Sequence, residues 1–488
     1  MTRLTQLIFV IASLALGAGC AMSGAPAFSS GAPGEFGATP GGVQDMGLAR
    51  ALVEEGRVPP AEAFVVEGMF SEHDLPVSGG ACADVLCIGA AGAIAPNLDE
   101  QTRAWVQIGL SSTVDPDTYE RPPATIIATV DVSGSMGWDY GETTPGELSR
   151  ALLERMAAEL GEGDRIAIVT YGSSVATPLP LTSGANSGAI NAAIAALGEG
   201  GSTNMEAGLQ RAYAIARAEA ASGHDVRVLL FTDVQPNVGA TSPSEFQAMV
   251  QAGADEGVGI TVFGMGVGLG QELFEAMSHL RGGNAFSLMA ADDVPALMEE
   301  SWPFLLTPIA YDLRVAITPS TGTSVLAGYG FPGAEEDGSA ALEVASVFLS
   351  RKRGALLVEL GRADDLPIAQ AGATLALEYT RPNGTPVSES LAVDWSSLSP
   401  DERGHAYAQP ATGRTVALAL AVTGMHDAAA LYASDGEASV ALARATAERL
   451  SADAEALDDD ALRAEAAFAG ELLALMEAGA AQGNLYGY

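Results

Sequence analysis

The stretch from Ala124 to Met136, Ala-Thr-Ile-Ile-Ala-Thr-Val-Asp-Val-Ser-Gly-Ser-Met, limits what this chain can become more than any other. A short uncharged run rich in β-branched residues predicts a strand buried on both faces, which calls for a parallel sheet covered by helices. Its end carries Asp131, Ser133 and Ser135, spaced by single residues. Where such a strand stops the chain turns outward, so these side chains can face one crevice at the sheet edge. One carboxylate and two hydroxyls are small hard donors that suit Mg2+, which prefers near-octahedral oxygen coordination and keeps several waters. Three donors leave that shell incomplete, and two later stretches can add to it. Gly200-Gly-Ser-Thr-Asn-Met-Glu206 presents Thr203 on a glycine turn ahead of a helix, and Val228 to Asp233 is a second apolar strand ending in a carboxylate.

Taken together, the three segments resemble the von Willebrand factor A (VWA) domain and its metal-ion-dependent adhesion site, the DxSxS…T…D pattern. The resemblance implies a doubly wound, mainly parallel α/β sheet of Rossmann-like form. It also implies an Mg2+ or Mn2+ site ligated by Asp131, Ser133 and Ser135, with Thr203 and Asp233 direct or through water. The ion would keep one position open for a Glu or Asp carboxylate from a partner protein, in a reading that makes the chain a metal-dependent binding module for adhesion or complex assembly. A structural envelope scaffold, in which the metal only holds the loops, is the alternative.

Before that domain the chain reads in three parts. Residues 1–20 hold one basic residue, Arg3, an apolar run from Leu7 to Leu16, and Gly17-Ala18-Gly19 ahead of Cys20. That run is too short for an ordinary membrane span and reads as an export signal. Small residues before a cysteine resemble the lipobox of bacterial lipoproteins, so Cys20 is the expected lipidation site, simple secretion being the alternative. Residues 21–45, rich in Gly, Pro, Ser and Ala, read as a flexible tether. Residues 46–118 look like the small module that precedes the VWA domain in a group of bacterial VWA lipoproteins. Cys82 and Cys87 lie in it; with Cys20 assigned to lipid an even pair remains, and in an exported protein either a short-loop disulfide or two free thiols follows.

From 119 to 304 strands and helices alternate, with helices expected at 148–160, 187–196, 205–221, 244–256, 271–280 and 294–301 and strands at 165–171, 226–232, 260–266 and 284–288. Asp139, Glu142 and Glu147 follow the first loop and read as a solvated rim, and Asp164 as a turn residue. Residues 305–425 change to short alternating runs, at 312–318, 341–349, 355–360, 373–379 and 415–422, separated by Gly and Pro breaks: a β-sandwich. Residues 426–484 are Ala-, Leu- and Glu-rich with helical periodicity, a C-terminal helical segment.

A net charge of −38, with Lys352 the sole lysine, bears on partners. Such a surface repels nucleic acid and anionic lipid headgroups and favours cations and basic protein surfaces, so membrane attachment is expected through the lipid anchor only. The five histidines, at 73, 224, 279, 405 and 426, accompany no nucleophile elbow, phosphate loop or HExxH pair. The chain is therefore read as no enzyme, exported to a bacterial cell envelope and held at the outer membrane.

Overall fold

In the computed structural model the run Thr125–Asp131 forms a strand with every residue buried, in the middle of a 7-stranded sheet. The structure describes residues 36–483 apart from 78–83, 116–117, 139–142, 222–225, 234–238, 240–241, 267–282, 307, 332, 336–337 and 364–365. In chain order the strands are β1 (Phe36–Thr39), β2 (Gly42–Val43), β3 (Leu86–Pro96), β4 (Thr102–Ser112), β5 (Thr125–Asp131), β6 (Arg165–Tyr171), β7 (Val175–Ser183), β8 (Val226–Thr232), β9 (Val258–Met265) and β10 (Gly283–Leu288). The second half adds β11 (Pro308–Pro319), β12 (Thr323–Tyr329), β13 (Ala340–Ser350), β14 (Gly354–Arg362), β15 (Gly372–Thr380), β16 (Pro386–Asp394) and β17 (Ala406–Tyr407). Helices are α1 (Gly47–Glu54), α2 (Val66–Ser71), α3 (Pro145–Ala158), α4 (Ser187–Ala195), α5 (Met205–Ala220), α6 (Pro243–Asp255), α7 (Asp293–Glu300), α8 (Trp302–Leu305), α9 (Pro410–Leu431), α10 (Gly436–Leu457) and α11 (Asp460–Glu477).

The first sheet runs β2-β10-β9-β8-β5-β6-β7, parallel throughout except for β7 against β6. On one face Leu148, Leu152 and Met156 of α3 pack with Phe231, Phe263 and Phe286. On the other, Leu209, Ala212 and Tyr213 of α5 and Phe246 of α6 cover Ile127, Val169 and Leu230. Burial of both faces is why these strands lack polar alternation. Capping sharpens the helix starts: Thr144 and Glu147 form a capping box on α3, as Ser242 and Glu245 do on α6. The α/β arrangement is thus as expected, while the helix expected at 271–280 lies outside the described residues.

A second sheet, 10-stranded and β-sandwich-like, follows the order β12-β14-β4-β1-β13-β11-β15-β16, with β3 joining β4 and β17. Its interior is filled by Val106, Ile108, Val315, Leu342, Val358 and Leu375, capped by Trp395. The segment expected as a tether up to residue 45 departs from that reading. Residues 36–39 lie between β4 and β13, and 42–43 extend the first sheet beside β10. Gly37 permits this insertion, since a Cβ there would stand 1.7 Å from the Lys352 carbonyl oxygen.

Residues 46–118 likewise do not stand apart as a module. β3 and β4 belong to the second sheet, and α1 and α2 share one core with α9, α10 and α11 through Leu52, Met69, Leu420 and Leu472. The run 415–422, expected as a last sandwich strand, lies inside α9, where Thr415 to Val422 are all buried. A helix surrounded on every side loses its polar face, and its alternation of Val or Leu with Ala then imitates a strand.

Candidate functional site

Asp131 ends β5 and Thr232 ends β8, the neighbouring parallel strand, so both side chains arrive at one edge of the sheet. The Thr232 hydroxyl donates to Asp131 Oδ2 at 3.1 Å, and the backbone N–H of Ser133 donates to Oδ1 at 2.8 Å. Ser133 Oγ and Ser135 Oγ face each other at 3.2 Å. The glycine turn lies directly over this loop: Gly134 N–H donates to the Gly201 carbonyl at 3.1 Å and Gly200 N–H to the Val132 carbonyl at 2.8 Å. Gly201 holds φ +90°, and a Cβ there would be 2.1 Å from Ser173 Oγ, so only glycine lets the turn approach so closely. Ser173 Oγ in turn accepts the Ser202 N–H at 3.0 Å.

Asp131, Ser133, Ser135, Thr203 and Asp233 are all buried, and the Gly200–Gly201 turn just ahead of Thr203 lies against the loop that carries Ser133 and Ser135. Burial pushes the Asp131 carboxyl above its ordinary range, against the lowering effect of the donors from Ser133 and Thr232. Tyr171, at the end of β6, pairs in register with Asp131. Its phenol is driven well above the usual tyrosine range by burial first and by the Asp131 and Asp233 carboxylates next. Neither Tyr171 nor Thr232 figures among the expected site residues. The signal was available, because a strand beside β5 must end at the same sheet edge.

The expected Mg2+ or Mn2+ centre is corrected by this donor set. Among the described residues no group of three or more His, Cys, Asp or Glu side chains is placed to hold a metal ion. The DxSxS…T…D residues supply two carboxylates, and Asp131 already accepts bonds from the protein's own donors. The spacing did not foretell that Asp131 would accept from the Ser133 N–H and the Thr232 hydroxyl, or that Ser133 and Ser135 would bond to each other. Capture of a partner's Glu or Asp through an ion falls with the centre, and so does an ion that only stabilises the loops. Thermal unfolding should accordingly shift by less than about 1 °C between millimolar Mg2+, Mn2+ and a chelator, read by differential scanning fluorimetry. A rise of several degrees with one ion, lost in Asp131→Ala, would reinstate the centre, because a ligand bound at a hundred times its Kd stabilises by about 2.7 kcal/mol.

Among the described residues no imidazole hydrogen bonds to Ser133 or Ser135. Cys20 and Cys82 lie outside the described residues. Cys87, on β3, is disulfide-bonded. Of the acidic rim, Glu147 serves the α3 cap, while Asp139 and Glu142 lie outside the described residues. Asp164 does more than turn the chain: it accepts the Ala124 N–H at 2.8 Å at the entry to β5 and both terminal nitrogens of Arg121.

A central parallel sheet with the DxSxS loop at its edge defines a VWA domain, and residues 126–235 match the model of the von Willebrand factor type A domain family. The chain carries a VWA domain. It is similar to the uncharacterized protein YfbK of Escherichia coli (strain K12), 29% identical over 274 residues, 55% of this chain and 47% of that protein. The chain thus matches about half the length of that curated relative. Among solved structures it is similar to a von Willebrand factor type A protein from Catenulispora acidiphila, with 13% identity, 82% of this chain and 91% of that chain covered, and a TM-score of 0.46. The ArnB paralog VWA2 from Sulfolobus acidocaldarius shows 14% identity, 82% and 99% coverage, and a TM-score of 0.42.

Proposed function

We propose that this chain is a non-catalytic docking module that binds a protein partner on the loop face of its VWA domain, without an ion. The observation that carries the reading is Trp138, directly after the Ser135–Gly137 turn and 51% exposed. Large, half-exposed aromatic side chains beside rigid loops are typical anchors of protein interfaces. The loops behind it are held by direct hydrogen bonds from Asp131, Ser133 and Gly134. Its own burial by a partner would add apolar contact without requiring those loops to reorganise.

Location is part of the proposal and rests on the sequence. The apolar run 7–16 and the small residues before Cys20 support export and lipid attachment at a bacterial outer membrane, as in VWA lipoproteins. Pairing of Cys82 with Cys87 would suit an exported protein. Among the described residues no helix is long and apolar enough to cross a membrane.

Trp138 offers its own readout, because Trp105, Trp302 and Trp395 are buried. Acrylamide should quench the fluorescence of Trp138 selectively, and Trp138→Phe should remove most of that quenching. A photo-crosslinker at position 138 in the native host should trap a protein that one at Glu389, on exposed strand β16, does not. Trp138→Ala should then weaken the trapped partner's binding roughly thirtyfold, the scale of an interface hot spot. Equal crosslinking from both positions, or unchanged affinity, would sink the reading.

A further inference from the structure

His405 lies between the sheet and the C-terminal helices, on the segment that leads into β17, with its side chain 9% exposed. Neither ring nitrogen has a hydrogen-bond partner among the described residues. The charged and titratable groups facing it are Asp401, Arg403 and Tyr407 from its own segment and Arg449 and Asp453 from α10. Asp401 Oδ1 is 3.9 Å from Nδ1, and Asp453 Oδ1 is 3.8 Å from Nε2. Both distances are too long for hydrogen bonds. Both carboxylates are also engaged elsewhere. Asp401 Oδ1 accepts the backbone N–H groups of Arg403 and His405 at 2.9 and 2.8 Å, and Asp453 Oδ1 accepts from the Arg403 guanidinium.

With the ring neutral, two carboxylates and two guanidiniums balance. A proton would place a third positive charge there, in a site drier than water and with no acceptor aimed at it. The same segment holds α10 to the sheet: Arg403 Nη1 donates to the Ala452 carbonyl at 2.9 Å, and Arg449 donates to the Asn97 and Pro96 carbonyls at 2.7 and 2.6 Å. We propose that His405 makes this joint acid-sensitive, closed while the ring is neutral and loosened when the ring takes up a proton. Burial holds the ring below the ordinary histidine range, with Arg403 and Arg449 acting in the same direction and the two aspartates opposing. Because that folded value is depressed, the proton is taken up preferentially by the loosened state, and closure weakens progressively as pH falls below about 6.5.

The test is hydrogen exchange on the full chain at pH 7.5 and 5.5, corrected for the intrinsic rate. Protection of residues 436–457 is compared with that of β5, in wild type and in His405→Gln. In the wild type the protection ratio should fall about tenfold in acid, the scale on which a buried charge without a partner loosens its surroundings. In His405→Gln it should change less than about twofold. An equal response in both proteins, or protection that rises in acid in the wild type, overturns the proposal. Should the variant be loose at both pH values, titration of the wild-type ring by NMR decides: a midpoint below about 6.5 supports the device, and one above it overturns it.

Discussion

Replacing Trp395 by alanine should lower the stability of the chain by about 3–5 kcal/mol, the usual cost of emptying a fully buried tryptophan site. Trp395 has no exposed surface and follows the edge strand β16. Its indole N–H donates to the Ala93 carbonyl at 2.8 Å and lies 3.2 Å from the Trp105 carbonyl, so one side chain closes the sheet across β3 and β4. Gly92 makes room for it, with Trp395 Nε1 only 3.0 Å from where a Cβ would stand. Truncation leaves both a void and a buried carbonyl without its donor, and the two costs add. Denaturant titration followed by near-ultraviolet circular dichroism would read the loss. A change below about 1 kcal/mol would mean that β3 and β4 close on the sheet without this plug.

Stability should also depend on pH through Asp45, and Asp45→Asn should remove that dependence. The Asp45 carboxylate accepts the Gly47 N–H at 2.9 Å and the Ser287 N–H at 2.8 Å, tying the start of α1 to β10. Burial pushes its pKa up to about 7, with Glu72 adding repulsion, although the two N–H groups oppose the shift. A carboxyl raised in the folded state stabilises fully below its unfolded value, and this contribution is lost as pH rises through 7. The wild type should therefore become less stable between about pH 4 and 8. Three units of displacement correspond to at most about 4 kcal/mol, and partial exposure of Asp45 reduces that to roughly 1–3 kcal/mol. Asp45→Asn does not titrate and should lose this slope, while its amide nitrogen, unable to accept the second N–H, lowers stability at every pH. Parallel pH profiles from guanidinium titrations would contradict this account.

The Asp45 prediction falls in a segment whose role the sequence concealed. Residues 36–45 have the Gly and Pro content of a linker, yet they enter two sheets because β13 and β10 offer them edges and Gly37 lets the backbones touch. No local pattern announces such an insertion, since its stabilising partners β4, β10 and β13 are all remote in sequence. The run 415–422 misleads for a related reason: burial on every side of α9 erased the periodicity that marks a helix. Tyr171 was legible as the end of a strand, but its part in the site depends on β6 lying next to β5.

What the amino-acid order determined by itself is local and chemical. Buried β-branched runs dictated the strands of the VWA sheet, caps such as Thr144 with Glu147 set the helix starts, and the DxSxS spacing put one carboxylate and two hydroxyls at the end of β5. Only the tertiary structure decided how those oxygens are used. Whether Asp131 faces an ion or its own Ser133 and Thr232 donors depends on angles and distances at the sheet edge, set by the packing of helices against both faces. Likewise, the separate modules suggested by composition became one second sheet and one helical layer, because each piece alone leaves an apolar face that only its distant partner covers.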